Sequence, residues 1–124
     1  LFARLLETQG DIKKLTKEEK NLAKDAKNYM DRMYSRDIRI QDVAGILHVH
    51  PNYLSTLFRR EYDQSPREYL RKVRMNQAKL LLATTEYSIS DISSDVGYTN
   101  PFQFSKVFKS CYGISPTEYR NMRQ

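Results

Sequence analysis

What this chain can fold into is narrowed most by the fact that it repeats itself. The stretch Pro51-x-x-Leu54-Ser55-x-x-Phe58-Arg59-x-x-Tyr62-x-x-Ser65-Pro66-x-Glu68-Tyr69 returns as Pro101-x-x-Phe104-Ser105-x-x-Phe108-Lys109-x-x-Tyr112-x-x-Ser115-Pro116-x-Glu118-Tyr119, displaced throughout by 50 positions (51 to 101, 69 to 119). Upstream, Ile40, Val43 and Leu47 return as Ile89, Ile92 and Val96 at a displacement of 49 (40 to 89), so the second copy holds one extra residue between Val96 and Pro101. Each copy is a short apolar-periodic segment, a break and a longer periodic segment, which is the outline of a helix-turn-helix.

A chain of 124 residues holds one ordinary domain or two very small ones sharing a linker. With 40% hydrophobic and 29% charged residues it is globular rather than disordered. No apolar run approaches the ~20 residues of a membrane span, and no secretory leader opens the sequence. The single cysteine, Cys111, cannot form an internal disulfide; that fits a reducing compartment, and beside Tyr112 it reads as helix packing rather than a redox group. The net charge of +6 favours nucleic acid only weakly by its sum. Its placement carries more.

Residues 1–15 read as a tail, in which Phe2, Leu5 and Leu6 can make a helical turn or two before Gly10 interrupts. An opening at Leu1 suits a piece of a larger parent with a domain upstream, or equally a cloning boundary. Thr16-Lys17-Glu18-Glu19 is a capping box, followed by Leu22, Ala23, Ala26, Tyr29, Met30, Met33 and Tyr34 on one helical face. The opposite face carries Lys20, Lys24, Lys27 and Asp31, read as solvated charge. Ile40, Val43, Ala44 and Leu47 predict a short helix, and Pro51 suits the first position of the next. Ser65-Pro66-Arg67-Glu68 combines a serine cap, a proline in the first turn and a glutamate three residues on, predicting a helix over 66–83. The expected sequel is a Ser88-capped short helix, a turn at Gly97, an Asn100-capped helix with Pro101 first, and a last helix from Ser115-Pro116. The result is all-α, about seven helices and no strand.

The second helix of each copy has separable faces. Leu54, Leu57, Phe58 and Tyr62 point one way, and Asn52, Ser55, Thr56 and Arg59 the other. In the second copy Phe104, Val107, Phe108 and Tyr112 oppose Phe102, Ser105, Lys106 and Lys109, with Gln103 beside them. Small hydroxyls and amides can approach base edges closely, and a phenylalanine can pack on a thymine methyl. Asn52, Ser55, Thr56, Phe102, Gln103, Ser105 and Lys106 are therefore the candidate base contacts. Arg59, Arg60 and Lys109 are candidate phosphate contacts, which fix register without reading sequence. Of the cations over 66–83 (Arg67, Arg71, Lys72, Arg74, Lys79), Arg74 is singled out for phosphate because it lies near the middle.

Other chemistry is poorly supplied. His48 and His50, two apart, do not share a helical face and read as turn residues or caps. No carboxylate pair, Ser/His/Asp grouping or phosphate-cradling glycine loop is present, so no enzyme, metal or cofactor is expected. The tyrosines at 53, 62, 69, 98, 112 and 119 read as packing.

The motifs Ile89-x-x-Ile92-x-x-x-Val96-Gly97-Tyr98 and Phe104-Ser105-x-x-Phe108-Lys109-x-x-x-Gly113-x-Ser115-Pro116-x-x-Tyr119-Arg120 resemble the signature of the AraC/XylS family of bacterial transcription regulators. Val43-Ala44, Leu54-Ser55-x-x-Phe58-Arg59, Ser65-Pro66-x-x-Tyr69 and Arg74-Met75-x-x-Ala78-x-x-Leu81-Leu82 extend the match across residues 22–123. The resemblance implies homeodomain-like helix-turn-helix subdomains at 16–64 and 85–124, joined by a linker helix at 65–84. It implies two recognition helices in adjacent major grooves of double-stranded DNA, and the cytoplasm of a bacterium as location. It also implies RNA polymerase as a partner and an effector-sensing or dimerisation domain upstream. Four positions depart from the pattern: Arg39 where a capping Ser or Thr is usual, His50 for Ser, Ser93 for Ala, and Lys106 for Arg. The last weakens bidentate guanine reading in the second half. Rival readings are a helical module for an acidic protein partner, which would need apolar anchors at its centre, and nonspecific nucleoid packing.

Overall fold

The computed structural model describes residues 14–123 and contains seven α-helices among them: α1 (Lys17–Met33), α2 (Ile40–Ile46), α3 (Pro51–Tyr62), α4 (Pro66–Thr84), α5 (Ile89–Asp95), α6 (Pro101–Tyr112) and α7 (Pro116–Asn121). The helical turns expected around Phe2, Leu5 and Leu6 lie outside the described residues. Leu15, read as the end of a tail, is buried.

The helix starts are where local chemistry puts them. Thr16, Ser65 and Ser115 each accept from the amide three residues on, while Glu19, Glu68 and Glu118 reach back to the amides of their caps. Ser88 and Asn100 cap α5 and α6, and the His50 imidazole caps α3 by accepting from the Asn52 amide at 3.1 Å. At α2 the departure of Arg39 is answered from the other side: its amide donates to the Asp42 carboxylate at 2.9 Å. The buried hydroxyl of Ser93 donates to the carbonyl of Tyr98, tying off the turn after α5.

Two hydrophobic clusters form, one per copy. Ala26, Met30, Val43, Ala44, Leu54, Phe58 and Leu70 make the first. Met75, Ala78, Leu82, Ile92, Val96, Phe104 and Phe108 make the second. Full burial of each large side chain contributes about 1.5–3 kcal/mol. The rings repeat as well: Phe58 lies 4.7 Å from Tyr62 and 5.7 Å from Tyr69, and Phe108 lies 4.7 Å from Tyr112 and 5.7 Å from Tyr119. Tyr53 is the exception to the packing expectation, being exposed with its hydroxyl toward Glu19.

Helix α4 belongs to both clusters. It packs on α1 and α3 in the first half and on α5 and α7 in the second. Its 19 residues run one past the expected end and span about 28 Å at 1.5 Å per residue. The carbonyls of Leu82 in its last turn and of Thr85, its C-cap, accept from Arg123 at 2.9 and 2.6 Å, and Arg120 adds longer bonds to both.

One expectation is corrected. Arg74 does not face solvent for a phosphate: it is 9% exposed, its Nε donates to Tyr34 O at 2.9 Å and its Nη2 to Arg36 O at 2.8 Å, and its Cζ lies over the Tyr98 ring. The reason is register, since Leu70, Arg74, Ala78 and Leu82 follow at intervals of four on the face that enters the core. Burial lowers its pKa, partly opposed by Tyr98 and Asp37. Lys27 and Asp31 keep much of their solvent exposure as expected and also touch α4: they pair at 3.3 Å, the Tyr69 hydroxyl donates to Asp31, and the Lys27 ammonium sits over the Tyr69 ring.

Candidate nucleic-acid interface

The separation of faces on α3 and α6 is realised in three dimensions. Leu54, Leu57 and Phe58 are buried, so α3 is held from behind and turns Asn52, Thr56, Arg59 and Arg60 outward, with Ser55 half-buried between them. Phe104 and Phe108 hold α6 in the same way and leave Phe102, Gln103, Lys106 and Lys109 exposed, with Ser105 half-buried. Phe102 is 84% exposed, more than any other large apolar side chain among the described residues.

Local bonding sets the state of these groups. The Thr56 hydroxyl donates to the Asn52 carbonyl at 3.0 Å, which leaves its oxygen free to accept. The Asn100 side chain accepts from the amides of Phe102 and Gln103 at 2.8 and 3.3 Å, fixing the first turn of α6. Beside α3 lies an open depression whose rim includes Lys14, Lys20, Asn52, Thr56, Arg59 and Arg60. Lys14 and Lys20 were not singled out among the candidate residues. No local pattern marks them, because only the packing of α1 on α3 brings their charge beside that helix. Glu61 and Asp63 also border the depression and moderate its charge.

His48 and His50 serve the turn and the cap as expected, His48 with φ of 59° and His50 as the acceptor of the Asn52 amide. Among the described residues no cluster of His, Cys, Asp and Glu could hold a metal ion, and no helix is long and apolar enough to cross a membrane.

Two helix-turn-helix units with matched polar faces, sharing one long helix, place the chain in the class of all-α helix-turn-helix domains. A family model described as a helix-turn-helix domain matches residues 43–122. The arabinose operon regulatory protein of Escherichia coli is 37% identical over 101 residues, 81% of this chain and 35% of that protein. The C-terminal domain of AraT, a response regulator from Geobacillus stearothermophilus, superposes with a TM-score of 0.80 at 36% identity, covering 83% of this chain and 86% of that one. The DNA-binding domain of AdpA, solved in complex with a target DNA, shares the fold at a TM-score of 0.75 and 21% identity, over 80% of this chain and 89% of that one. The chain belongs to the AraC family of transcription regulators, and corresponds to its DNA-binding part. It spans 34–41% of the length of the first curated relatives it matches.

Proposed function

We propose that the chain reads double-stranded DNA as one unit with two probes, residues 16–64 and 85–124, set apart by the helix of 65–84. The observation that carries this is the duplicate outward face: the same helix of each copy buries its apolar side and turns outward a half-buried serine, exposed amide or phenyl groups, and exposed cations. Asn52, Ser55 and Thr56 on α3, and Phe102, Gln103, Ser105 and Lys106 on α6, are the base-edge contacts in this reading. Arg59, Arg60 and Lys109 meet phosphates, joined by Lys14 and Lys20. Arg74 leaves that set. The length of α4 supports probes in successive major grooves on one side of B-DNA, roughly 34 Å apart. In this reading the chain is part of a regulator acting in the bacterial cytoplasm, its output passing to RNA polymerase and its signal arriving through a domain outside this chain. Direction of control follows no feature of these residues.

Enriching random duplexes with the purified chain tests the reading. The expected product is a two-part motif whose halves lie about 10–10.5 base pairs apart. Asn52→Ala and Thr56→Ala should each relax preference at fixed positions of one half by ~1–3 kcal/mol, whereas Arg60→Ala should weaken all duplexes alike and flatten the salt dependence by about one unit of slope. Enrichment of no sequence, or a protected region shorter than one turn of DNA, defeats it.

A further inference from the structure

We propose that Arg74 is the positioning residue that locks the two reading faces at one separation and rotation, so that it decides which half-site spacing the chain accepts. The consequence for spacing rests on the DNA reading above; the coupling itself does not.

Three observations carry the inference. Leu70 belongs to the first hydrophobic cluster and Met75 to the second, so the boundary between the halves falls in the single helical turn that contains Arg74. At that turn the guanidinium is shared between the halves. Its Nε and Nη2 donate to the carbonyls of Tyr34 and Arg36, behind α1, while its Cζ lies 5.5 Å from the centre of the Tyr98 ring, in the turn that precedes α6. The halves also meet through backbone. A β-carbon on Gly97 would collide with the Tyr34 carbonyl oxygen and lie 2.8 Å from Arg74 Nε.

A continuous helix fixes the distance between two bodies packed along it but resists their rocking about its axis only weakly. A planar fork with two bonds in fixed directions on one half and a cation–ring contact on the other opposes that rocking. A lysine, with one point of charge and no plane, cannot do both.

The test uses the whole chain with spin labels on the native Cys111 of α6 and on Glu61→Cys of α3, both exposed. Double electron–electron resonance should give one narrow distance distribution with Arg74 and a distribution at least about twice as wide with Arg74→Lys or Arg74→Met, at unchanged helix content. Tyr98→Leu, which removes the ring but keeps an apolar side chain, serves as a third variant should loss of a buried guanidinium unfold the chain. Equal widths in the folded variants overturn the inference. A second readout takes the duplexes enriched by the parent chain and inserts one base pair between the halves, a step of roughly 34–36° and 3.4 Å. The parent should lose roughly tenfold or more and the variants less than about threefold, with affinity for an isolated half-site within about twofold throughout. The same spacing penalty in parent and variants overturns the specificity role. If the parent enriches no sequence, the DNA reading fails, and the distance widths still decide whether Arg74 couples the halves.

Discussion

Left-handed backbone occurs at two pairs of matched positions, and the copies fill them differently. His48 and Gly97, in the turn after the short helix of each copy, have φ of 59° and 98°; Asp63 and Gly113, after α3 and α6, have 58° and 82°. A β-carbon in this region costs roughly 1–2 kcal/mol, so the second copy holds the relaxed choice at both places. Asp63→Gly should therefore raise stability by about 1 kcal/mol in urea titrations, and Gly113→Ala should lower it by a similar amount, since nothing crowds a methyl there. Gly97→Ala should cost clearly more, because strain is joined by collision with the Tyr34 carbonyl. Equal losses at the two glycines would contradict that contact. Phe102 makes the opposite case: at 84% exposure, Phe102→Ala should leave stability within about 0.5 kcal/mol while weakening duplex binding.

At the scale of elements, three of the seven helices begin with the same reciprocal box, and its chemistry predicts a pH dependence. The carboxylates of Glu19, Glu68 and Glu118 accept from the amides of Thr16, Ser65 and Ser115 at 2.8, 2.7 and 2.9 Å, and those backbone bonds hold each pKa below the ordinary value. A depressed folded pKa contributes stability that is present above the unfolded value of about 4.3 and is lost as pH falls through the folded value. Chemical denaturation from pH 6 to pH 3 should show stability falling on acidification. The triple variant Glu19→Gln, Glu68→Gln, Glu118→Gln, still able to accept but unable to titrate, should fall less steeply. The same boxes explain why the elements were legible in the sequence: cap and glutamate, with a proline between them at Ser65 and Ser115, lie within four residues, and the apolar spacing behind them names the buried face. Arg74 was not legible as a buried group by charge, since it looks like its neighbours Arg71 and Lys72. Its interval of four from Leu70 and Ala78 was the available signal. The contacts of Lys27 and Asp31, and the position of Lys14 and Lys20 beside α3, depend on which helix lies alongside, and no local pattern contains that.

For the whole molecule, two small cores on one helix imply that damage stays local. Phe58→Ala and Phe108→Ala remove matched, fully buried rings and should each cost about 3–5 kcal/mol. Amide exchange should show the loss of protection concentrated in the half that holds the cavity, with the other half opening less. Uniform loss across both would mean that the cores unfold as one. The helix that joins the cores also limits how the protein could be recombined. Leu70 serves one core and Met75 the other, so a chimaera that borrows one reading unit from a relative cannot be spliced at the loops flanking α4 without orphaning half a core. The workable seam is the turn from Arg71 to Arg74, and a graft made there must bring a partner for Tyr34 and Tyr98 together. Exchange of half-sites between such regulators is therefore constrained at the middle of a helix rather than at its ends.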